Sequence, residues 1–454
     1  MHINKGDQDD PEYRSRLVAM EIKRKYDEDI FAATPPLEAK KLLFSLAVTG
    51  THKTAKPLKL LFVDVKRAYF YAKSKRSVYV QLPEEDFEDG KCGKLAVSMY
   101  GTRDAAQNWE AEYTDALVKM GFNPGISTPC AFYHPERDIR CVVHGDDFTF
   151  LATDDNLDWV QKKMKQRYDV KIRGRLGPDP KDDKEIRILN RIIHWDTKGI
   201  GYEADQRHAE IVVREMGLTD KGATVNTPGV KTKVDEESDE KLEPERATKY
   251  RRLVARGNYL AADRPDIQFA VKELSRFMAN PTESAWLALI RLSKFLKLRP
   301  RMMIRFNYQG ATRAINTCVD ADWAGEQVSR KSTSGGLVQF GGHVLKSWAS
   351  TQSVIALSSG ESEFYSIVKG VSQSMGIKAL MKDLNVEAHI KVMTDATTGK
   401  SIASRRGLGR VRHIDVSNLW IQEKLSTGEI ELTKIKNTYN PSDILTKHLA
   451  EAGV

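Results

Sequence analysis

Two adjacent aspartates at the tip of an apolar hairpin limit the folds open to this sequence. The run Cys141–Ala152 (CVVHGDDFTFLA) has two β-rich halves around a tight polar turn, which predicts a β-hairpin. Upstream, the apolar strand LKLLFVDV contains Asp64 near its end. If this strand and the hairpin are neighbours in one sheet, the carboxylates of Asp64, Asp146 and Asp147 converge.

Converging carboxylates repel one another and raise their own pKa values unless a divalent cation neutralises them. The same residues allow another interpretation, in which Gly145-Asp146 is a turn dipeptide and Asp64 caps the short helical segment that follows it. Because the three aspartates occur together, we favour a metal site. Oxygen ligands without a histidine or cysteine set nearby favour Mg²⁺ or Mn²⁺ over zinc.

A second set of acidic residues lies in the last third of the chain. Asp320 ends the strand in CVDADWAG, Glu363 lies on a helix in LSSGESEFYS, and Asp395 ends the strand KVMTD. Asp443 opens the last helix, where a first-turn or N-cap acid is the alternative interpretation. Two metals about 3.5–4 Å apart, held by such carboxylates, are a standard arrangement for in-line phosphoryl chemistry.

Hydrophobic periodicity predicts an α/β (α+β) protein. The first part of the chain combines strands, the hairpin and an amphipathic helix at Asp104–Met120. The acidic, aperiodic run Asp235–Glu245 is interpreted as a linker that marks a boundary, and amphipathic helices follow it. From about Thr312 a new unit shows the order βββαβαβα, which predicts a mixed sheet with helices against it.

Charge and composition limit the partners. The 71 Lys and Arg exceed the 62 Asp and Glu by nine, which favours a polyanionic partner. On the helix Ala285–Leu298, a face with Arg291, Lys294 and Lys297 is either solvated or follows phosphates. The four cysteines lack CxxC spacing, the N-terminus is polar, and no apolar run approaches about 18 residues. We therefore expect no disulfide framework, zinc ribbon, secretion signal or membrane span.

A series of longer motifs runs through almost the whole chain. They are YRSRLVA, FVDVKRAYFYA, SMYGTRDAAQNW, VVHGDDFTFLA, NYLAADRPDIQFAVKELSRFMANP, VDADWAG with RKSTSGG, LSSGESEFYS, RHIDVSNLWIQE and PSDILTKHL. In content and order the series resembles the reverse transcriptase–RNase H portion of copia-type LTR retrotransposon Pol polyproteins. This resemblance implies fingers and palm at about 1–228, a thumb or connection at about 229–310, and an RNase H-like domain at about 311–454.

The resemblance also implies roles for individual residues. The polymerase triad and its two metal ions correspond to Asp64, Asp146 and Asp147. Tyr69 matches the aromatic steric gate that rejects a ribose 2′-OH, and the basic residues near the triphosphate correspond to Arg16 and Arg103. The carboxylates that hold two ions for hydrolysis of RNA in a hybrid correspond to Asp320, Glu363, Asp395 and Asp443. Two alternatives lie two positions away in the sequence: Asp322 in place of Asp320, and Glu361 in place of Glu363.

Two motifs depart from the family pattern near the polymerase site. The usual tyrosine-containing YxDD turn is here His144-Gly145-Asp146-Asp147, and the usual LKQAP segment is Thr102-Arg103-Asp104-Ala105-Ala106. Gly145 adds backbone freedom, and Asp104 places an acid where a glutamine near the incoming nucleotide is expected. We expect these changes to affect rate and fidelity more than fold.

The sequence thus predicts an RNA- and DNA-templated DNA polymerase with ribonuclease H activity. Its expected partners are an RNA template, a DNA primer, the RNA–DNA hybrid and dNTPs, with Mg²⁺ or Mn²⁺ and no membrane; the resemblance also allows a homodimer. The expected location is a cytoplasmic particle or the nucleus. Since no Gag, protease or integrase segment is visible, we expect a processed product or a truncated relic. The alternatives are a non-catalytic nucleic-acid-binding remnant and a structural protein with metal-stabilised acidic turns.

Overall fold

The computed structural model describes residues 2–4, 13–15, 17–22, 30–50, 56–218, 222–231, 239–326, 328–409 and 411–448. The chain divides into two compact units. The first contains Met1–Leu43, Leu58–Arg175 and Asp383–Val386, and the second contains Phe44–Pro57, Leu176–Lys382 and Glu387–Val454. Both units combine helices with sheets, in agreement with the predicted α/β (α+β) class.

The elements up to residue 176 belong mainly to the first unit. Its strands are β1 (His2–Asn4), β2 (Tyr13–Ser15), β3 (Lys59–Val65), β4 (Tyr79–Val80), β5 (Gly93–Lys94), β6 (Asn123–Pro124), β7 (Ala131–His134), β8 (Ile139–His144), β9 (Asp147–Ala152) and β10 (Val170–Leu176). Its α-helices are α1 (Leu37–Ala47), α2 (Ala105–Lys119) and α3 (Asp154–Arg167). Short 3₁₀ helices cover Ala68–Tyr71 and Glu84–Asp86.

A six-stranded sheet with the order β10-β3-β9-β8-β7-β6 forms the centre of the first unit. Alternate residues of its strands, such as Val63 and Phe148, form a buried cluster with Trp109 of α2 and Leu157 of α3. The predicted strand, hairpin and amphipathic helix are therefore confirmed. Because side chains alternate along a strand, Asp64 and Asp147 lie on the face of the sheet opposite this cluster.

The remaining elements belong to the second unit. Its strands are β11 (Glu185–Ile188), β12 (Arg191–Asp196), β13 (Gly199–Glu203), β14 (Met303–Asn307), β15 (Ala314–Asp322), β16 (Thr333–Phe340), β17 (His343–Thr351), β18 (His389–Thr394) and β19 (Ile430–Lys434). Its α-helices are α4 (Gln206–Glu215), α5 (Pro244–Ala261), α6 (Pro265–Ser275), α7 (Glu283–Leu298), α8 (Ser359–Asp383), α9 (Thr397–Ser404) and α10 (Trp420–Ser426). Short 3₁₀ helices cover Val416–Leu419, Asn437–Tyr439 and Pro441–Leu445.

The described residues of the second unit form two sheets and a helical cluster. The first sheet is antiparallel with the order β11-β12-β13-β14. The second has the order β17-β16-β15-β18-β19, in which β15, β18 and β19 run parallel and the other pairs are antiparallel. Helices α4 to α7 share one buried apolar cluster. The predicted mixed sheet after residue 311 is therefore confirmed, with the last predicted helix present as the 3₁₀ turn Pro441–Leu445.

The two compact units divide the chain differently from the three predicted domains. Residues 176–228 belong to the second unit, together with the segments predicted as connection and RNase H-like domain. The boundaries at about 228 and 310 stay predictions. Within the acidic run, residues 235–238 lie outside the described residues, whereas the Asp239 carboxylate accepts a hydrogen bond from Ser284 N–H (3.1 Å) at the start of α7.

Two expectations from composition can be compared with the structure. Cys130, Cys141 and Cys318 are buried and Cys92 is exposed, and all four are free thiols. Across the described part of the chain, none of the helices is long and apolar enough to cross a membrane.

Candidate active sites

The first candidate site lies where the ends of β3 and β9 meet. Asp64 and Asp147 are register partners across this antiparallel pair, and both side chains are less than one-fifth exposed. Asp146 is exposed at the hairpin tip, and its carbonyl accepts a hydrogen bond from Val65 N–H (3.0 Å). The backbone thus holds the turn against the end of β3, and the three predicted aspartates come together.

Charges of both signs act on the Asp147 carboxylate at this site. Burial raises the pKa of Asp147; the negative charges of Asp146 and Asp64 add to this effect, and the cations Lys40 and Arg173 oppose it. Arg173 lies on β10, which neighbours β3, and its guanidinium is 2.9 Å from Asp64 Oδ1 and 3.8 Å from Asp147 Oδ1. An all-oxygen set of three mutually repelling carboxylates fits a hard divalent cation.

Helix α2 and the 3₁₀ turn after β3 support the same region. The indole N–H of Trp109 donates to the carbonyl of Gly145 (2.8 Å), which anchors the turn from the apolar side. Gly145 has φ +63°, a conformation that glycine adopts without strain. Tyr69, in the turn Ala68–Tyr71, packs its ring 4.5 Å from that of Tyr100. Burial, and then the charge of Asp146, raises the pKa of the Tyr69 hydroxyl.

The carboxylate of Asp104 is bound by other side chains of the protein. It is buried at the start of α2, where Arg76 donates to it (2.7 Å) and Asn108 Nδ2 donates to its other oxygen (3.0 Å). The hydrogen bond from Arg76 keeps its pKa below the usual range. The negative charge of Asp104 is therefore already paired within the protein. Arg103 is half-buried, with its backbone N–H donating to Glu21 (2.8 Å), and Arg16 lies outside the described residues.

The second candidate site lies within the five-stranded sheet. One carboxylate oxygen from each of Asp320 (β15), Glu363 (α8) and Asp395 (after β18) lies within 4.8 Å of the others. Asp443, in the 3₁₀ turn Pro441–Leu445, is near enough for its charge to raise the pKa values of Asp320 and Glu363. All four predicted carboxylates are thus brought together by elements from distant parts of the sequence.

Burial and mutual repulsion make this second cluster costly without a counter-charge. Burial, with the nearby charges of Asp443 and Asp395, raises the pKa of Asp320 to about 6. Burial, with Asp320 and Asp395, raises the pKa of Glu363 to about 9. Within the described residues, Glu363 Oε2 and Asp443 Oδ1 are buried without a hydrogen-bond partner. An all-oxygen donor set with unpaired buried oxygens fits Mg²⁺ or Mn²⁺.

Neighbouring polar groups orient the second cluster. Thr446 Oγ1 donates to Asp320, Asn440 Nδ2 lies 3.4 Å from Asp395 Oδ2, and Lys447 Nζ lies 2.9 Å from Asp443 Oδ2. The other contact of the Asn440 amide, to the carbonyl of Val319 (3.0 Å), ties this arrangement to β15. These contacts restrict the orientations of the Asp320, Asp395 and Asp443 carboxylates.

The structure distinguishes the sequence alternatives. Glu361 accepts hydrogen bonds from Leu357 N–H (2.9 Å) and Tyr365 OH (3.1 Å) and pairs with His413 Nε2 (2.8 Å). Its carboxylate is thus occupied by other partners, and it is Glu363 that lies with Asp320. Asp322, two positions further along β15, does not belong to the group of oxygens that lie within 4.8 Å.

Two glycines allow α8 and α9 to approach closely at this site. A Cβ atom on Gly399 would lie 2.8 Å from Cβ of Glu363, and one on Gly360 would lie 2.3 Å from Cγ2 of Thr398. Both distances are shorter than carbon atoms tolerate without displacement. The separation between Glu363 on α8 and the segment that follows Asp395 therefore depends on the absence of these two side chains.

The basic face of α7 is partly used within the protein. Arg291 donates to Thr227 Oγ1 (2.6 Å), and Lys297 donates to the carbonyl of Gly222 (2.9 Å). Both cations therefore hold the segment 222–227 against α7. Lys294 lies between them on the same helix and is half-buried.

Several residues at the two sites were not predicted from the sequence. They are Arg173, Lys40 and Trp109 at the first site and Asn440, Thr446 and Lys447 at the second. A basic strand face that includes Arg173 could have been predicted, because alternation in VKIRGRL places Lys171, Arg173 and Arg175 on one side of the strand. Lys447 follows Asp443 by four residues, a spacing that brings side chains together on a helical segment.

Comparison with known sequences gives consistent matches. The profile of a family described as reverse transcriptase (RNA-dependent DNA polymerase) matches residues 1–230. The Retrovirus-related Pol polyprotein from transposon RE2 of Arabidopsis thaliana is 28% identical over 96% of this chain and 30% of its own length. The corresponding protein from transposon TNT 1-94 of Nicotiana tabacum is 25% identical over 96% of this chain and 33% of its own length. The chain thus spans about a third of the curated relatives it matches, and its resemblance to copia-type Pol polyproteins is confirmed.

Solved structures give more distant matches. A foamy viral protease-reverse transcriptase in complex with RNA/DNA hybrid has a TM-score of 0.47 and 11% identity, covering 89% of this chain and 46% of that chain. RNase H1 from the archaeon Halobacterium salinarum has a TM-score of 0.20 and 12% identity, covering 29% of this chain and 94% of that chain.

Proposed function

Because the chain belongs to the reverse transcriptase (RNA-dependent DNA polymerase) family, we propose that it copies RNA and DNA templates into DNA and cleaves the RNA strand of the resulting hybrid. Polymerisation is assigned to Asp64, Asp146 and Asp147, and cleavage to Asp320, Glu363, Asp395 and Asp443. The observation that supports this proposal is the presence of two separate carboxylate sets, one in each compact unit. The first lies at the ends of the paired strands β3 and β9, and the second is formed by residues of β15, α8, the segment after β18 and a 3₁₀ turn.

Both reactions act on phosphodiester or triphosphate groups. Mg²⁺ or Mn²⁺, when bound by these carboxylates, supplies charge neutralisation and a more acidic attacking hydroxyl or water. The protein contributes the fixed positions of the ligands: the paired strands at the first site, and Asn440, Thr446 and Lys447 at the second. Such pre-organisation lowers the barrier because the groups need not rearrange during the reaction.

The proposed substrates differ between the two sites. The first would take a DNA primer on an RNA or DNA template with dNTPs, and Tyr69 would exclude a ribose 2′-OH by its bulk. The second would take an RNA–DNA hybrid, in which hydrolysis breaks the bond between the phosphorus atom and the 3′ oxygen of RNA. In this proposal a cytoplasmic particle or the nucleus is the place of reaction.

Single substitutions at the two sites should separate the activities. Asp146→Asn should abolish primer extension on poly(rA) and leave hybrid cleavage, whereas Asp395→Asn should abolish cleavage and leave extension. Both are measured with Mg²⁺ and with Mn²⁺ on the full chain. If either variant kept both activities, the site assignment would be contradicted.

The wild-type protein itself tests the polymerase half of the proposal. Cleavage without any extension would indicate a relic in which the His144-Gly145 turn no longer supports synthesis. Extension that depends on Asp146 would establish a working polymerase despite the departures from the family motifs.

A further inference from the structure

The guanidinium of Arg173 lies near both strand-borne aspartates of the first site. It lies 2.9 Å from Asp64 Oδ1 and 3.8 Å from Asp147 Oδ1. Ile172 packs against the apolar cluster, so alternation places Arg173 on the sheet face that bears both aspartates. The contact is thus a consequence of strand order and register, and not of a long loop.

The Arg173 guanidinium reduces the electrostatic repulsion between the two aspartates at this edge of the sheet. Directly opposed carboxylates on neighbouring strands have Cβ atoms only about 4.5–5.5 Å apart and repel one another. One cation bound to both of them relieves that repulsion, as a divalent ion would. Lys40 also acts on Asp147 electrostatically, so Arg173 is not the sole positive charge near the site.

Arg173 is also free to leave. Its side chain is 39% exposed, whereas the side chains of Asp64 and Asp147 are 19% and 18% exposed. Rotation about its own bonds can therefore carry the guanidinium into water without a change in the backbone. Because solvent screens the partly exposed guanidinium, a divalent cation with its higher charge can compete with it for the two carboxylates.

We propose that Arg173 is a built-in counter-ion that competes with the divalent cation for Asp64 and Asp147, so that the cation binds only as the guanidinium departs. This inference rests on the proposed polymerase function of the site. It assigns Arg173 the role of a positioning residue that sets how much Mg²⁺ or Mn²⁺ the site requires.

The test measures metal binding directly, by titrating free Mn²⁺ with electron paramagnetic resonance. The background is the full chain with Glu363→Gln and Asp395→Asn, which weakens binding at the second site. In this background Arg173→Ala should bind Mn²⁺ roughly tenfold more tightly than the Arg173 protein, because a like charge and a competing contact are both removed. Arg173→Lys should stay near the Arg173 protein, since it keeps the charge.

A matched control separates this effect from a general change in charge. Lys171 is exposed on the same strand, two residues before Arg173. The substitution Lys171→Ala removes one positive charge, as Arg173→Ala does. Equal Mn²⁺ affinity for Arg173→Ala and Lys171→Ala would overturn the inference. If Arg173→Ala folds poorly by circular dichroism, Arg173→Gln provides the same comparison.

Failure of the inference differs from failure of the proposed function. If Asp64→Asn and Asp147→Asn abolish a bound Mn²⁺ but Arg173→Ala leaves its affinity unchanged, the metal site stands and the counter-ion role falls. If this site binds no Mn²⁺ in any of the proteins, both the counter-ion role and the metal function of the site are overturned.

Discussion

At the scale of single residues, partners decide what a charge can do. Asp104 departs from the family pattern, but Arg76 and Asn108 donate hydrogen bonds to its carboxylate at the start of α2. Its negative charge is therefore paired within the protein. Glu361 is likewise bound by Tyr365 and His413, which leaves Glu363 to join the acidic cluster.

Tyr69 offers a residue-scale prediction on substrate choice. We expect Tyr69→Ala to raise the use of ribonucleotides relative to dNTPs by roughly tenfold or more, because pocket contacts of this size are worth about 1–3 kcal/mol. The measurement is primer extension with matched rNTP and dNTP series. Tyr79→Ala, at an exposed tyrosine on β4, is the control and should keep the wild-type ratio. An unchanged ratio in Tyr69→Ala would contradict the steric-gate role.

At the scale of elements, α7 combines two tasks on one face. The phosphate-following interpretation of this basic face stays a prediction. Its three cations differ in their partners, since Arg291 and Lys297 bind the segment 222–227. A cation that fastens a neighbouring segment has less freedom to follow a phosphate backbone. We therefore expect Lys294 to differ from the other two.

The prediction for α7 compares two substitutions. Lys294→Ala should weaken hybrid binding and reduce the slope of log K against log salt by about 1, with an unchanged melting temperature. Arg291→Ala should lower the melting temperature, because a hydrogen bond of about 1 kcal/mol to Thr227 is lost. Fluorescence anisotropy at several salt concentrations and thermal unfolding measure the two effects. An unaltered salt slope in Lys294→Ala would remove it from the proposed interface.

At the scale of the whole molecule, local patterns were predictable from periodicity, whereas most distant contacts were predictable only through the resemblance or not at all. The hairpin at 141–152 and the strand before Asp64 follow from alternation within a few residues. The pairing of β3 with β9, and the arrival of Arg173 from β10, depend on strand order, which periodicity does not encode. The same applies to residues 44–57, which belong to the second unit although they precede most of the first. The domain boundaries therefore stay the weakest part of the sequence prediction.

His343 is an example of a residue whose partners in the second unit lie far away in the sequence. Its buried ring contacts Ser45 Oγ (2.8 Å), the Asn307 carbonyl (2.7 Å) and Gln309 Nε2 (3.0 Å). Burial lowers the pKa of the imidazole below its usual value of about 6.5. As pH falls below that value, the unfolded chain takes up a proton that the folded chain does not, so stability falls.

The pH dependence can be measured with one variant and one control. Between pH 7.5 and 5.5, His343 should contribute a loss of at most about 1.4 kcal/mol per pH unit to the stability of the wild type. Asp320 and Glu363 contribute in the opposite direction, because their raised pKa values favour the folded chain on acidification. His343→Gln should be less stable at pH 7.5, and on acidification its urea midpoint should rise relative to that of the wild type. His389→Gln, at an exposed histidine on β18, should show the wild-type pH dependence. An identical pH dependence in His343→Gln and the wild type would contradict the role of His343.

The close approach of α8 and α9 at Gly360 and Gly399 has a consequence for how such a sequence can drift. In a saturation mutagenesis library selected for hybrid cleavage, these two positions should be depleted of substitutions about as strongly as the carboxylates, although neither has a functional group. Alanine, the smallest change, already adds the Cβ that pushes α9 away from Glu363. A lineage under relaxed selection would therefore lose cleavage through either glycine while all four acids still stood in its sequence.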